Sequence, residues 1–226
     1  MKNQLTKIYI VRHGQSESNL HADQPPTFHA QWGETESPLT TLGQEQAKER
    51  AEELQDIPFD AVYSSDLTRA VQTAEIITLV RKLKAQTTEL IRETNTWAHV
   101  SKLRFQGRTM DEVREEMKNE LQVLDEKGKM AYKYADTMES ADEAVSRLLT
   151  FLREVAVAYL GKTVLVVNHG TNMRSLLTHL GYANFDELPD GSLENTAYII
   201  LESDGIDFFV KQTVGVHKQG NAKRTL

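Results

Sequence analysis

The chain predicts an α/β three-layer sandwich: a mainly parallel central sheet with an antiparallel edge and helices on both faces. Three observations predict it. Two apolar runs rich in β-branched residues, 8–11 and 164–167, are short and bounded by polar residues, as strands buried on both faces should be. Helical periodicities lie between the strand-like segments, the alternation that produces crossover connections. Near its end the chain has two further strand-like runs, 196–201 and 208–214, joined through Asp204-Gly205, and these read as an antiparallel hairpin.

The first strand, 7–11, leads into a long loop punctuated by Pro25, Pro26, Gly33 and Pro38, longer than a plain connection needs and therefore a candidate functional loop. Residues 42–54 are rich in Glu, Gln, Ala and Lys, good helix formers, and Pro58 stops them; 61–63 make a short second strand. After Ser64-Ser65-Asp66, the positions Leu67, Ala70, Val71, Ala74, Ile77 and Val80 recur at helical spacing, with Ser65 or Asp66 as the expected cap and Arg69 in the first turn. Further helices are expected over 110–126, 141–159 and 172–180, with Gly161 and Gly181 as stops. The charged stretch at about 94–138 carries no strand pattern and reads as a cap-like insertion within a single domain, 1–226.

A chain of 226 residues with 39% hydrophobic content can bury one substantial core. The net charge of -7 argues against a general nucleic-acid or membrane-surface binder, so any anion site must be local. The absence of cysteine excludes disulfides, thiolate catalysis and Cys-ligated zinc. His21, His29, His99, His179 and His217 lack ligand spacing, so no metal is expected. The first residues are polar and no run approaches about 18 apolar residues, from which a cytoplasmic protein is expected.

The chemistry is announced by two His-Gly pairs. Each apolar run breaks on one: Arg12-His13-Gly14 and Asn168-His169-Gly170. Ligands gather at the carboxyl ends of parallel strands, so the pattern expects two imidazoles side by side there. Arg12 beside the first histidine, and a helix following the second, make the expected guest an anion, with phosphate the leading candidate.

Four ordered stretches then carry a family resemblance. Arg12-His13-Gly14-Gln15-Ser16-Glu17-Ser18-Asn19 resembles the opening motif of the histidine phosphatase superfamily, the phosphoglycerate mutase-like proteins. Leu39-Thr40-Thr41-Leu42-Gly43 with Gln46-Ala47 is similar to that family's loop into its first helix. Ser64 to Ala74 resembles its arginine helix, and Val166-Val167-Asn168-His169-Gly170 its second histidine motif.

The resemblance implies a phosphoglycerate mutase-like fold, no cofactor, and a small phosphorylated substrate. It implies that His13 attacks phosphorus and becomes a phosphohistidine, that Arg12, Arg69, His169, Gly170 and Asn19 bind the phosphoryl group, and that His169 assists catalysis as a donor. The physical chemistry agrees: a loose phosphoryl-transfer transition state spreads charge over three oxygens, and guanidinium groups meet such oxygens with paired, permanently protonated donors. Two nearby arginines would keep the imidazole neutral. The leaving alkoxide needs an acid, and Glu93 is the family match, with Asp111 and Glu112 as substitutes. Here the chain departs from the family pattern. The glycine-rich segment that usually follows the acid is absent, and Phe105-Gln106-Gly107-Arg108-Thr109 lies displaced downstream, with Gln106 in place of the second Glu. Ser18 also stands where Trp is common.

The expected activity is a metal-independent phosphomonoesterase. Two alternatives stay open: a cofactor-dependent phosphoglycerate mutase, against which Glu93-Thr94-Asn95-Thr96-Trp97 replaces the mutase pattern Glu-Arg-His-Tyr-Gly, and a non-catalytic phospholigand-binding module. Lys102, Arg104 and Arg108 read as a solvated charged face rather than a second anion subsite.

Overall fold

The computed structural model describes residues 4–21, 37–81, 83–94, 108–136 and 138–219. In chain order its elements are β1 (Thr6–Arg12), α1 (Glu17–Leu20), α2 (Thr41–Glu53), β2 (Ala61–Ser65), α3 (Thr68–Thr78), β3 (Gln86–Thr88), α4 (Met110–Gln122), α5 (Glu126–Ala131), α6 (Ala141–Ala158), β4 (Thr163–Asn168), α7 (Gly170–His179), β5 (Leu193–Ser203) and β6 (Phe208–Val216).

Side chains alternate across a strand, so a strand apolar at every position needs cover on both sides. β1 and β4 meet that demand: Ile8, Ile10, Val164 and Val166 pack on one side, and Tyr9, Val11, Leu165 and Val167 on the other. The two strands pair in parallel, from Lys7 opposite Thr163 to Arg12 opposite Asn168. Around them the six-stranded sheet runs β3-β2-β4-β1-β5-β6. β2 is parallel to β3 and β4, and the β5–β6 hairpin is antiparallel and joins the sheet through β1. One face is covered by α6 and α7, through Val145, Leu148, Leu152, Met173 and Leu176; the other by α3, through Ala70, Ala74 and Ile77, with Leu54 at the end of α2. The expected sandwich with its antiparallel edge is the fold.

Several local expectations need correction. α3 is not capped by Ser65 or Asp66: its N-cap position is Leu67, Ser65 Oγ accepts only from Leu67 N at 3.3 Å, and Asp66 is gripped by Arg92. The helix expected over 110–126 is two, because Asp125 accepts from Gly128 N and starts α5 afresh. α7 begins at Gly170, two residues before the expected start. α1 and the three-residue β3 were not expected; β3 has no apolar alternation to betray it. Within the stretch read as an insertion, Val113, Tyr134 and Met138 form a small separate core. Arg108 is committed there, 2.5 Å from Glu116 and 3.0 Å from Tyr134 Oη. Most of the long loop read after the first strand, 22–36, lies outside the described residues, as do Trp97, Lys102, Arg104 and Gln106.

Candidate active site

The register of β1 on β4 sets the site. His13 N donates to Asn168 O at 3.0 Å, one step beyond the last ladder pair, so both histidines leave the sheet at the same level. Their rings lie 5.1 Å apart between centroids, inclined at 61°. Both are buried, His13 at 2% exposure and His169 at 0%.

Backbone crossings hold the loop behind His13. A Cβ on Gly14 would stand 2.4 Å from Gly43 O, and one on Gly43 only 2.0 Å from Gln15 O, so this crossing of the loop with α2 admits glycine alone. Thr40 caps α2 by accepting from Gly43 N and also reaches Gln15 Oε1 at 2.8 Å, while Gln15 N donates to Gln46 Oε1 at 2.9 Å. The resemblance of 39–47 therefore has a mechanical reason: these residues lock the loop behind the first histidine. Asn19 Oδ1 accepts from Ser16 N at 3.2 Å and Ser16 Oγ at 3.1 Å, closing α1.

The His13 ring has a partner at each nitrogen. Nδ1 lies 2.7 Å from the Gly14 carbonyl, an acceptor, and Nε2 lies 3.2 Å from Arg69 Nε, a donor. An acceptor at one nitrogen and a donor at the other define the neutral tautomer protonated on Nδ1, with its lone pair on Nε2. Burial, then the charges of Arg69 and Arg12, hold His13 well below the usual imidazole value of 6.5, against the opposing pull of the Gly14 carbonyl. His169 is pushed down the same way, by burial first and then by Arg69, His13, Arg12 and Arg147.

Arg12 extends from the end of β1, and its Nη1 donates to Leu193 O. Its guanidinium lies across the start of α7, where a Cβ on Gly170 would stand 3.1 Å from Arg12 Nε. Arg69 comes from the first turn of α3, and Thr73 one turn on accepts from Gly14 N at 3.1 Å. Burial lowers both guanidinium groups, Arg69 to about 10, and Glu93 opposes that shift in each. Glu93 thus faces both arginines. Its oxygens accept from Thr94 N at 2.9 Å and, across the site, from Thr171 N at 3.4 Å.

Among the described residues, Arg12 Nε, both ring nitrogens of His169 and Thr94 Oγ1 are buried without a hydrogen-bond partner. Buried polar groups are ordinarily paired, so a cluster of such atoms around two arginines and a helix N-terminus is chemistry arranged for an anion. Among those residues no three His, Asp or Glu side chains group as metal ligands.

The structure thus brings together His13, His169, Arg12, Arg69, Gly170 and Glu93. Asn19 sits on the same loop with its oxygen used locally. Asp111 and Glu112 lie in the first turn of α4, and Glu112 closes a capping box with Thr109.

Sequence reasoning missed the supports. Asn172 Nδ2 donates to Arg92 O at 2.6 Å and to Asn168 Oδ1 at 3.1 Å, and Asn168 Oδ1 also accepts from His169 N at 2.7 Å. Arg147 Nη1 reaches the carbonyls of Leu90 and Arg92, each at 2.8 Å, and Asp66 binds Arg92 through two oxygens. Together they fix the backbone that presents Glu93. The signal available for Asn172 was its place in the first turn of α7, three residues after His169.

This is the architecture of the phosphoglycerate mutase-like proteins, and the chain belongs to the histidine phosphatase superfamily (branch 1), whose family model matches residues 8–214. It is similar to the protein named uncharacterized phosphatase PhoE of Bacillus subtilis (strain 168), 30% identical over 182 residues that cover 78% of each chain. It is also similar to the 2,3-bisphosphoglycerate-dependent phosphoglycerate mutase of Protochlamydia amoebophila, 25% identical over 235 residues, 92% of this chain and 99% of that one. Among solved structures, Bacillus stearothermophilus YhfR superposes with a TM-score of 0.69 at 27% identity, covering 91% of this chain and 95% of the other. Members of the family are phosphatases or mutases. No helix among the described residues is long and apolar enough to cross a membrane.

Proposed function

We propose that the protein is a phosphomonoesterase that hydrolyses a small phosphate ester through a covalent phosphohistidine at His13. The observation that carries this reading is the His13 tautomer: Nδ1 is tied to the Gly14 carbonyl, so the lone pair stands on Nε2, on the side of Arg69. In the first step Nε2 attacks phosphorus and the ester P–O bond breaks; the leaving oxygen takes its proton from the Glu93 carboxylic acid. Arg12, Arg69, His169, the Gly170 amide and Asn19 hold the equatorial oxygens. In the second step water attacks phosphorus, the P–N bond breaks, the Glu93 carboxylate accepts the water proton, and inorganic phosphate leaves. The reading takes 1–226 as one catalytic domain acting in the cytoplasm, with 94–138 as its cap, and involves no nucleic acid or membrane.

Hydrolysis is favoured over return of the phosphoryl group because Thr94-Asn95-Thr96-Trp97 follows Glu93 where mutases carry Arg-His-Tyr-Gly. The mutase reading draws its support from the mutase-named relative that the chain matches over 92% of its length. The test is an aryl phosphate mixed with protein in excess chelator, with phenol release followed before the steady state and acid-stable and acid-labile phosphoprotein separated. Hydrolysis predicts a phenol burst with acid-labile phosphate on the wild type, no burst in His13→Ala, and a Glu93→Gln variant slowed most on esters with poor leaving groups. Transfer of label from phosphoglycerate to a second acceptor, without net phosphate release, would replace hydrolysis by the mutase reading. Phosphate binding without turnover would leave only a binding module.

A further inference from the structure

The backbone that carries His13 is also held from β5. The β1–β5 ladder ends at Val11 opposite Tyr198. Beyond it β5 bulges, and the bulge turns a second strand residue toward the nucleophile. Thr196 N and Asn195 Nδ2 each donate to the His13 carbonyl at 3.3 Å. Thr196 does this at φ +58°, the one positive φ of a non-glycine among the described residues. For a β-branched side chain, 5% exposed here, that conformation is strained and persists only where the surroundings impose it.

Arg50 imposes it. Its side chain rises from α2, is only 12% exposed, and donates from Nε to Thr196 O at 2.9 Å across 146 positions of sequence. The guanidinium carbon lies 4.8 Å from the centroid of the Tyr198 ring, two residues on, and Nη1 bonds Glu53, which accepts from Tyr198 Oη at 2.9 Å. Arg50, Glu53 and Tyr198 thus grip both sides of the bulge. On the far side of the same peptide, Gly14 N is held by Thr73 Oγ1.

We propose that Arg50 is a positioning residue for phosphoryl transfer: by holding Thr196 in its left-handed conformation it clamps the His13 carbonyl and so aims the ring nitrogen that attacks phosphorus. The inference rests on the phosphohistidine reading. It makes Arg50 matter to the speed of attack and not to the affinity for phosphate, because Arg50 bonds to none of the phosphate-binding residues named above. Without it Thr196 relaxes to a negative φ, its N–H leaves the His13 carbonyl, and the Gly14 carbonyl that orients Nδ1 turns with the freed backbone.

The experiment compares Arg50→Met with wild type for acid-labile phosphoenzyme formation from an aryl phosphate and, separately, for the inhibition constant of inorganic phosphate. Expected is a fall of about 10- to 100-fold in the rate of phosphoenzyme formation, the scale of a misplacement of about 1 Å, with phosphate inhibition changed less than about twofold. Glycine adopts φ +58° without strain, so adding Thr196→Gly to Arg50→Met should return most of the lost rate. Lys48→Ala, on the exposed face of the same helix, should behave as wild type. Should Arg50→Met fold poorly, Arg50→Lys keeps the charge near Tyr198 but loses the planar Nε donor, and it should show the same split.

An unchanged rate in a folded Arg50 variant overturns the proposal, and so does a loss shared equally by rate and phosphate affinity that Thr196→Gly fails to reverse. If the wild type forms no phosphohistidine, the function proposed above falls first. If it forms one and Arg50 variants form it equally fast, only the positioning role falls.

Discussion

Acid should destabilise this protein by an amount set by its two buried imidazoles. His13 and His169 lie against one another and against Arg12 and Arg69, and burial and those charges hold both well below the usual imidazole value of 6.5. In the unfolded chain each recovers its ordinary affinity for a proton. The unfolded state therefore binds more protons at and below pH 6.5, and stability rises with pH through that window and falls as the pH is lowered. With both histidines neutral in the folded protein, each loses about 1.3 kcal/mol between pH 7.0 and 5.5, or about 2.5 kcal/mol for the pair.

Urea unfolding at these two pH values, in buffers of equal ionic strength, reads the difference directly. Phosphate must be left out, since a ligand of the folded state alone would add its own stabilisation. The comparison is with His13→Gln/His169→Gln, which lacks both groups while other titrating residues stay in place. Wild type should lose about 2.5 kcal/mol more than this variant between the two pH values. Equal losses would refute the reasoning, for they would mean that the histidines take up protons in the folded protein as easily as in water.

The same electrostatics bears on rate: the His13 limb of a profile of phosphoenzyme formation should fall well below pH 6.5, and a loss of rate centred at that value that disappears on changing His13 alone would count against the assigned tautomer. Gly43→Ala should cost about 3 kcal/mol, because its Cβ would stand 2.0 Å from the backbone oxygen of Gln15; a urea midpoint within experimental error of wild type would show that the crossing can widen. Asn172→Ala removes the donor to Arg92 O and should cost about 1–3 kcal/mol in unfolding measurements, with a lower kcat on substrates that need a protonated leaving group; an unchanged leaving-group dependence would separate Asn172 from the placement of Glu93.

What the sequence discloses and what it conceals divide by distance along the chain. The two strand ends are local: a buried apolar run followed by His-Gly states both where the strand stops and what stands at its tip, and parallel pairing then brings His13 beside His169. Arg69 and Gly170 are readable for the same reason, each within a turn of a helix start. The cap assigned to α3 failed because Asp66, which has the right chemistry for a cap, is taken by Arg92 from 26 positions away. No periodicity signals such a pairing. β3 escaped because a three-residue edge strand with two exposed residues carries no burial pattern at all.

The supports of the site lie almost wholly in the concealed class. Arg147 reaches Arg92 O over 55 positions, Asn172 reaches it over 80, and Asn195 reaches His13 O over 182. Each is a polar side chain on an element whose apolar face alone was legible, and each acts on a backbone carbonyl, a group every residue possesses and no sequence pattern distinguishes. The chain matches relatives named as phosphatases and as mutases alike. The groups proposed to meet the phosphoryl oxygens stand at strand ends and helix starts, which the fold keeps. On the function proposed above, the fate of the phosphoryl group would be decided on the leaving-group side of Glu93, where Thr94 begins the segment in which this chain departs from the mutase pattern. Hydrolysis and transfer need the same attacking nitrogen and the same oxygen-binding donors, and they differ only in which oxygen nucleophile next reaches phosphorus: water for the phosphatase, a bound acceptor hydroxyl for the mutase.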